Sequence, residues 1–92
     1  MSGPEASIER TLSRLVVRAG GLCYKLTSPT AGMPDRLVIM PGGRMYLVEL
    51  KAPGGRLRKV QEAWHAKAAR RGVRVLVLGS REAVIDWVRG IS

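Results

Sequence analysis

Two short apolar runs stand three residues apart in the middle of the chain: Arg36 to Met40 and Arg44 to Lys51, with Pro41-Gly42-Gly43 between them. Proline and paired glycines break a strand and supply turn backbone, so the segment predicts a β-hairpin. A lone hairpin is marginal in water and needs further strands or a covering helix. The flanking sequence offers both. Ile8, Leu12, Leu15, Val16 and Ala19 recur at helical spacing and predict an amphipathic first helix to about Ala19, closed by Gly20 and Gly21. Ser2 and Glu5 have capping-box spacing at its start, with Pro4 in the first turn, where proline is tolerated. Leu22 to Thr27 reads as a strand, and Ser28 to Pro34, with its two prolines and a glycine, as a loop.

After the hairpin, Ala52-Pro53-Gly54-Gly55 breaks the strand. Leu57, Val60, Trp64 and Ala68 mark the inner face of a second helix closed by Gly72, and Val73 to Leu78 reads as a buried strand. Ser80 is placed to cap a last helix whose buried side carries Val84, Trp87, Val88 and Ile91. The order is α-β-β-β-α-β-α. The long crossover through the second helix lets the last strand join the sheet parallel to a neighbour, which makes the sheet mixed and the fold α/β.

At 92 residues the chain is read as one small domain, residues 1–92, with a thin stability margin. No apolar run approaches the roughly 20 residues that span a bilayer. Met1 to Ser7 shows no basic stretch followed by an apolar one, so no signal peptide is read there. Cys23, the single cysteine, has no internal partner for a disulfide, and the reducing cytoplasm, in a bacterium or a phage-infected cell, is the simplest compartment. The charge is the first functional clue. Sixteen Lys and Arg against seven Asp and Glu give a net +9, a self-repulsion that a polyanionic partner would offset. Nucleic acid is the leading candidate and an anionic membrane surface the lesser one.

With seven carboxylates, the position of each is informative. Asp35 opens the second strand, directly after Pro34. Glu49 and Lys51, near the end of the third, are two residues apart and leave the same face of the sheet. The hairpin makes Asp35 and Glu49 neighbours in space. Two carboxylates and a backbone carbonyl, for which Leu50 is placed, supply oxygen ligands suited to Mg²⁺ or Mn²⁺ rather than zinc. Such an ion polarises a phosphoryl oxygen and acidifies a water; Lys51 beside it can hold that water or neutralise developing charge. A Glu-x-Lys pair alone is ordinarily a surface pair on an edge strand. The combination sets this one apart. Gln61 adds to it, because it shares the inward stripe of Leu57, Trp64 and Ala68, where a glutamine must find partners; orienting Lys51 or a phosphate is the functional reading.

Gly32-Met33-Pro34-Asp35-Arg36, Glu49-Leu50-Lys51 and Gln61 together resemble the motif set of the virus-type replication–repair nuclease (VRR-NUC) domain, within the PD-(D/E)XK superfamily, over about residues 5 to 80. The resemblance implies a restriction-endonuclease-like αβββαβ core with a central mixed sheet and flanking helices. It implies that Asp35, Glu49 and the Leu50 carbonyl bind Mg²⁺ or Mn²⁺ and that Lys51 is catalytic. It also implies homodimers and, for some members, branched DNA such as four-way (Holliday) junctions as substrate in repair, recombination or phage replication. Glu9 resembles the first-helix glutamate that related resolvases direct at the metal. One departure is visible: Arg56, Leu57, Arg58 and Lys59 stand where related second helices often begin with a Ser or Thr cap.

Lys25, Arg36, Arg56, Arg58 and Lys59 are candidate phosphate contacts, and Arg70 and Arg71 further ones. His65 is expected on the surface, and Trp64 and Trp87 in core or dimer contacts. The expected activity is a metal-dependent DNA endonuclease selective for structured DNA, as a Holliday-junction resolvase is. Its rivals are a non-catalytic basic DNA-binding module, a nuclease without junction selectivity, and a structural subunit. A carboxylate pair in a basic hairpin repels the DNA backbone unless a metal intervenes, which argues for the enzyme.

Overall fold

The hairpin forms as the turn residues dictate. In the computed structural model, which describes residues 3–92, β2 (Arg36–Met40) and β3 (Arg44–Leu50) pair antiparallel with Arg36 opposite Val48 and Met40 opposite Arg44. β1 (Leu22–Lys25) adds antiparallel to β2, and β4 (Val75–Leu78) adds parallel to β3, Leu50 beside Leu78. The sheet is therefore mixed, in the order β1-β2-β3-β4. α1 (Pro4–Arg18), α2 (Lys59–Ala69) and α3 (Arg81–Ile91) complete the α-β-β-β-α-β-α order read from the sequence. No helix among the described residues is long and apolar enough to cross a membrane.

Strand alternation decides where the core lies. In β2, residues 36, 38 and 40 are buried and 37 and 39 only partly so. The buried set points at α1 and α3: Ile8, Leu12, Val16, Val84 and Val88 pack on Val38, Met40, Val48, Leu50 and Leu78. Fully burying each such side chain stabilises by about 1.5–3 kcal/mol. Both covering helices begin at the end of the sheet where β3 and β4 finish. Ser80 caps α3 directly after β4, its hydroxyl accepting from the Ala83 N–H at 3.0 Å. Gly21, just past α1, lies against Met40 at the far end of β2.

The opposite sheet face is less covered, because only α2 lies over it. Met45 is 62% and Val77 43% exposed, and Leu22 and Tyr24 are exposed as well. This corrects the expectation for the last strand. It is an edge strand with one wet face, shorter than read, and its apolar composition does not signal burial on both sides. The N-terminal cap differs too. Gly3 is the N-cap of α1, followed by Pro4, and no side chain caps it; Ser2 lies outside the described residues.

Candidate active site at the ends of β2 and β3

A loop and a helix start converge on Asp35. Gly32 has φ +92°, and a Cβ there would collide with the Val60 carbonyl in the first turn of α2. Only glycine allows the loop this close to the helix. The Asp35 backbone is then held from β1, its carbonyl accepting from the Leu26 N–H at 2.8 Å. Its side chain crosses to β3, where Oδ1 accepts from the Leu50 N–H at 3.3 Å. Hairpin pairing thus brings Asp35 beside Glu49-Leu50-Lys51, as the sequence predicts. The N–H and C=O of one strand residue point the same way, so the Leu50 carbonyl opens toward the Asp35 side.

Glu49 is 4% exposed, and its Oε1 has no hydrogen-bond partner. Its Oε2 lies 3.9 Å from the Lys51 ammonium, a loose pair. Burial first, and then the Asp35 charge, push the Glu49 carboxyl up to about 7, with Lys51 offsetting part and smaller effects from Glu5 (raising) and Arg58 (lowering). A buried carboxylate oxygen with nothing to bond, next to a second carboxylate, is unfavourable unless a cation joins it. The donor set fits a hard divalent ion. Among the described residues no three Asp, Glu, His or Cys side chains converge, so no closed cage forms. Mg²⁺ characteristically takes one or two carboxylates and keeps several waters.

Gln61 is buried where the stripe places it, 4% exposed. Its Oε1 accepts from the Arg58 N–H at 2.8 Å, closing the first turn of α2. The missing Ser or Thr cap is thereby replaced: a residue one turn inside the helix reaches back to an orphan donor. Lys25, Arg56, Arg58 and Lys59 are exposed, as phosphate contacts must be.

Three assignments are corrected. Arg36 is 4% exposed, so it faces the core layer and not a phosphate. Its Nη2 stands 2.5 Å from Glu9 Oε2, and its Nη1 donates to the Asp35 carbonyl at 2.8 Å and lies 3.3 Å from Asp35 Oδ2. Glu9, expected at the metal, is thus engaged by Arg36. The α1 carboxylate whose charge reaches Glu49 is Glu5, one helical turn earlier. Its position, i−4 from Glu9, is the signal in the sequence that points to it. His65 is not a surface histidine. It is half-buried, its Nε2 is buried without a partner, and desolvation and the Lys51 charge lower its pKa. It sits four residues after Gln61, where the same stripe extended by one turn would place it.

The chain has clear relatives. A protein named "Putative nuclease p44", from Acyrthosiphon pisum secondary endosymbiont phage 1, is 43% identical over 79 residues, 85% of each chain. A solved VRR_NUC domain superposes with a TM-score of 0.90 at 28% identity, covering 99% of this chain and 100% of that one. The VRR-NUC domain family matches residues 4–82, a span that holds Glu5, Asp35, Glu49, Lys51 and Gln61. The chain belongs to the VRR-NUC family of nucleases.

Proposed function

We propose that this nuclease is an endonuclease that hydrolyses phosphodiester bonds of DNA at the Asp35–Glu49–Lys51 centre with Mg²⁺ or Mn²⁺. One observation carries the reading: Glu49 is buried with an unpartnered oxygen beside Asp35 and Lys51, in a chain of net charge +9. Asp35, Glu49 and the Leu50 carbonyl would hold the ion. When bound, it supplies Lewis-acid polarisation of the phosphoryl oxygen and a lowered pKa for water. The chain's own residues do the rest. Lys51 presents an ammonium to the attacking water and to charge growing on the phosphorane oxygens. Gln61 holds the first turn of α2 against the site. Arg58 and its exposed neighbours Arg56 and Lys59 grip flanking phosphates.

Branched DNA as the preferred substrate and a homodimer as the working unit belong to the same proposal. They are supported by the family resemblance and by symmetry, since a twofold pair of sites matches the paired strands of a four-way junction. The test is a nicking assay on duplex, flap, splayed-arm and four-way junction DNA, with and without EDTA. Asp35→Ala and Glu49→Ala abolish cleavage and weaken Mn²⁺ binding in calorimetry. Lys51→Ala abolishes cleavage while Mn²⁺ still binds. Full activity in Glu49→Ala, or in EDTA, removes the metal mechanism. DNA binding with no cleavage under any metal leaves the non-catalytic module.

A further inference from the structure

We infer that the groove between α1 and α3, lined by Ser7, Arg10, Thr11, Arg14 and Arg81, is a second track for the nucleic-acid backbone, on the opposite side of the sheet from α2. The inference rests on the nuclease reading for its ligand, a phosphodiester backbone, and on the groove's own residues for its place. Arg10 and Arg14 are one helical turn apart on α1, and Arg81 is the first residue of α3. All three are exposed, and among the described residues none makes a salt bridge or a side-chain hydrogen bond. The Thr11 hydroxyl is already engaged, donating to the Ser7 carbonyl at 2.9 Å.

Each arginine breaks a local rule. Like charges four residues apart on a helix repel, which sets Arg10 against Arg14. A cation in the first turn of a helix opposes the macrodipole, which sets Arg81 against α3. Two such violations facing one groove, with no acidic partner among the described residues, are relieved together by an anion. Violations of local rules of this kind gather at functional sites.

The groove also lies where a substrate would continue. Lys51 N–H bonds the Leu78 carbonyl at 3.0 Å, and Arg81 follows three residues after Leu78. Glu5, whose charge reaches Glu49, precedes Arg10 on α1. The catalytic end of the sheet therefore has a basic flank on each face: Arg56, Arg58 and Lys59 by α2, and Arg10, Arg14 and Arg81 between α1 and α3. At about 430 Å³ the groove has room for more than one small anion.

The test measures binding apart from cutting. Fluorescence anisotropy on a labelled duplex and a labelled junction, without divalent metal, compares the parent chain with Arg10→Gln/Arg14→Gln, with Arg81→Gln, and with Arg18→Gln/Arg89→Gln as a charge-matched control at the far ends of the same helices. Each lost phosphate contact lowers the log–log salt slope by about 0.9. The double variant loses close to two units of slope and binds several-fold more weakly, Arg81→Gln loses close to one, and the control loses much less. Unchanged slopes in the groove variants, or an equal loss in the control, overturn the track. Circular dichroism of each variant guards against misfolding, and a misfolded glutamine variant is replaced by its lysine counterpart, which must retain the slope. If the chain binds through this groove but never cleaves, the catalytic reading fails and the track stands. If it cleaves and the groove variants bind normally, the track alone fails.

Discussion

Arg36 and Glu9 form an ion pair 2.5 Å across, made by a nearly buried guanidinium and a half-exposed carboxylate. The same guanidinium bonds the Asp35 carbonyl, so α1 is tied to the residue that opens the candidate active site. Bonds to charged groups of this kind contribute about 1.5–3 kcal/mol, discounted here for the exposed side of Glu9. Glu9→Gln should therefore cost about 1–2 kcal/mol in urea denaturation, and Arg36→Gln more, because it leaves Asp35 and Glu9 without their shared donor. Neither should change the salt slope of DNA binding by the unit that a phosphate contact contributes. A full unit lost in Arg36→Gln would return it to the DNA surface.

That pair also marks what the sequence makes legible. The hairpin, the crossover and the convergence of Asp35 with Glu49 follow from turn residues and strand parity, signals local to a few residues. Parity also bears on Arg36: it shares a face with Val38 and Met40 and is buried with them. An arginine in a basic chain invites the phosphate reading, and only the position of Glu9 on α1, a tertiary fact, shows what neutralises it. The cap of α2 is hidden for a similar reason. The donor is the Arg58 backbone and the acceptor a side chain three residues on, so the cap position itself carries no signal. The wet face of β4 depends on how much of the sheet α2 covers, which hydrophobic pattern does not encode.

Glu49 gives a pH dependence whose sign follows from its raised pKa. Its carboxyl titrates at about 7 in the folded chain, against an ordinary value of 4.5. A carboxyl raised by folding stabilises the fold fully below its unfolded pKa, and that contribution is lost as pH rises through the folded one. The metal-free protein should lose on the order of 2–3 kcal/mol from this group between about pH 4.5 and pH 7.5. Glu49→Gln should remove that component. Mn²⁺ should restore stability mainly above neutrality, because binding requires the ionised carboxylate and releases its proton. Urea melts at pH 5.5 and 8, with and without Mn²⁺, check this; identical pH profiles for parent and variant would refute it.

Gln61 can be divided by chemistry. Its Oε1 closes the first turn of α2, and its amide N–H₂ group is what a phosphate or an activated water could use. A glutamate side chain in its place would keep the acceptor and lose the donor. Gln61→Glu should therefore keep the cap bond, cost about 1–2 kcal/mol at neutral pH for the buried charge, and cut kcat at least about tenfold. Gln61→Ala should cost about 1 kcal/mol as well as activity. Equal activity in Gln61→Glu and the parent would leave Gln61 a cap and nothing more.

Gly32 should tolerate no side chain. Its φ of +92° and the Val60 carbonyl against it oppose any Cβ. Gly32→Ala should destabilise by about 2–4 kcal/mol, through backbone strain together with displacement of the loop from α2. Gly42, with nothing near its Cβ position and φ +87°, is the control. Gly42→Ala carries the strain without the collision and should cost about 1–2 kcal/mol. Thermal melts that ranked the two equally would show that the contact with α2 does not fix the loop.

The last prediction concerns assembly. Leu22, Tyr24, Met45 and Val77 leave apolar surface on the sheet face that α2 covers only in part. A groove of about 840 Å³ at its edge is lined by Leu37, Met45, Leu47, Val73, Leu76 and Trp87. Trp87 is not free to act as a lone anchor, because its ring stands edge-on to Tyr46, with centroids 5.2 Å apart. The wall it helps to build is still apolar, and contiguous apolar surface on a small domain marks a partner site. A second copy of this chain satisfies the proposed twofold, since an isologous interface puts the same patch on both sides. Light scattering during size-exclusion chromatography should give twice 10.0 kDa at micromolar concentration. Met45→Lys with Leu22→Lys should halve that mass, because two buried ammonium groups per subunit cannot be paired across a self-matched patch. The monomer should still nick duplex DNA, since both residues pair with Ile39, at the far end of the sheet from Asp35, Glu49 and Lys51, but should lose paired incision of a four-way junction. A parent chain that runs as a monomer and still makes paired cuts would defeat both the dimer and the coupled mechanism. A dimer that survives both substitutions would move the interface to another face.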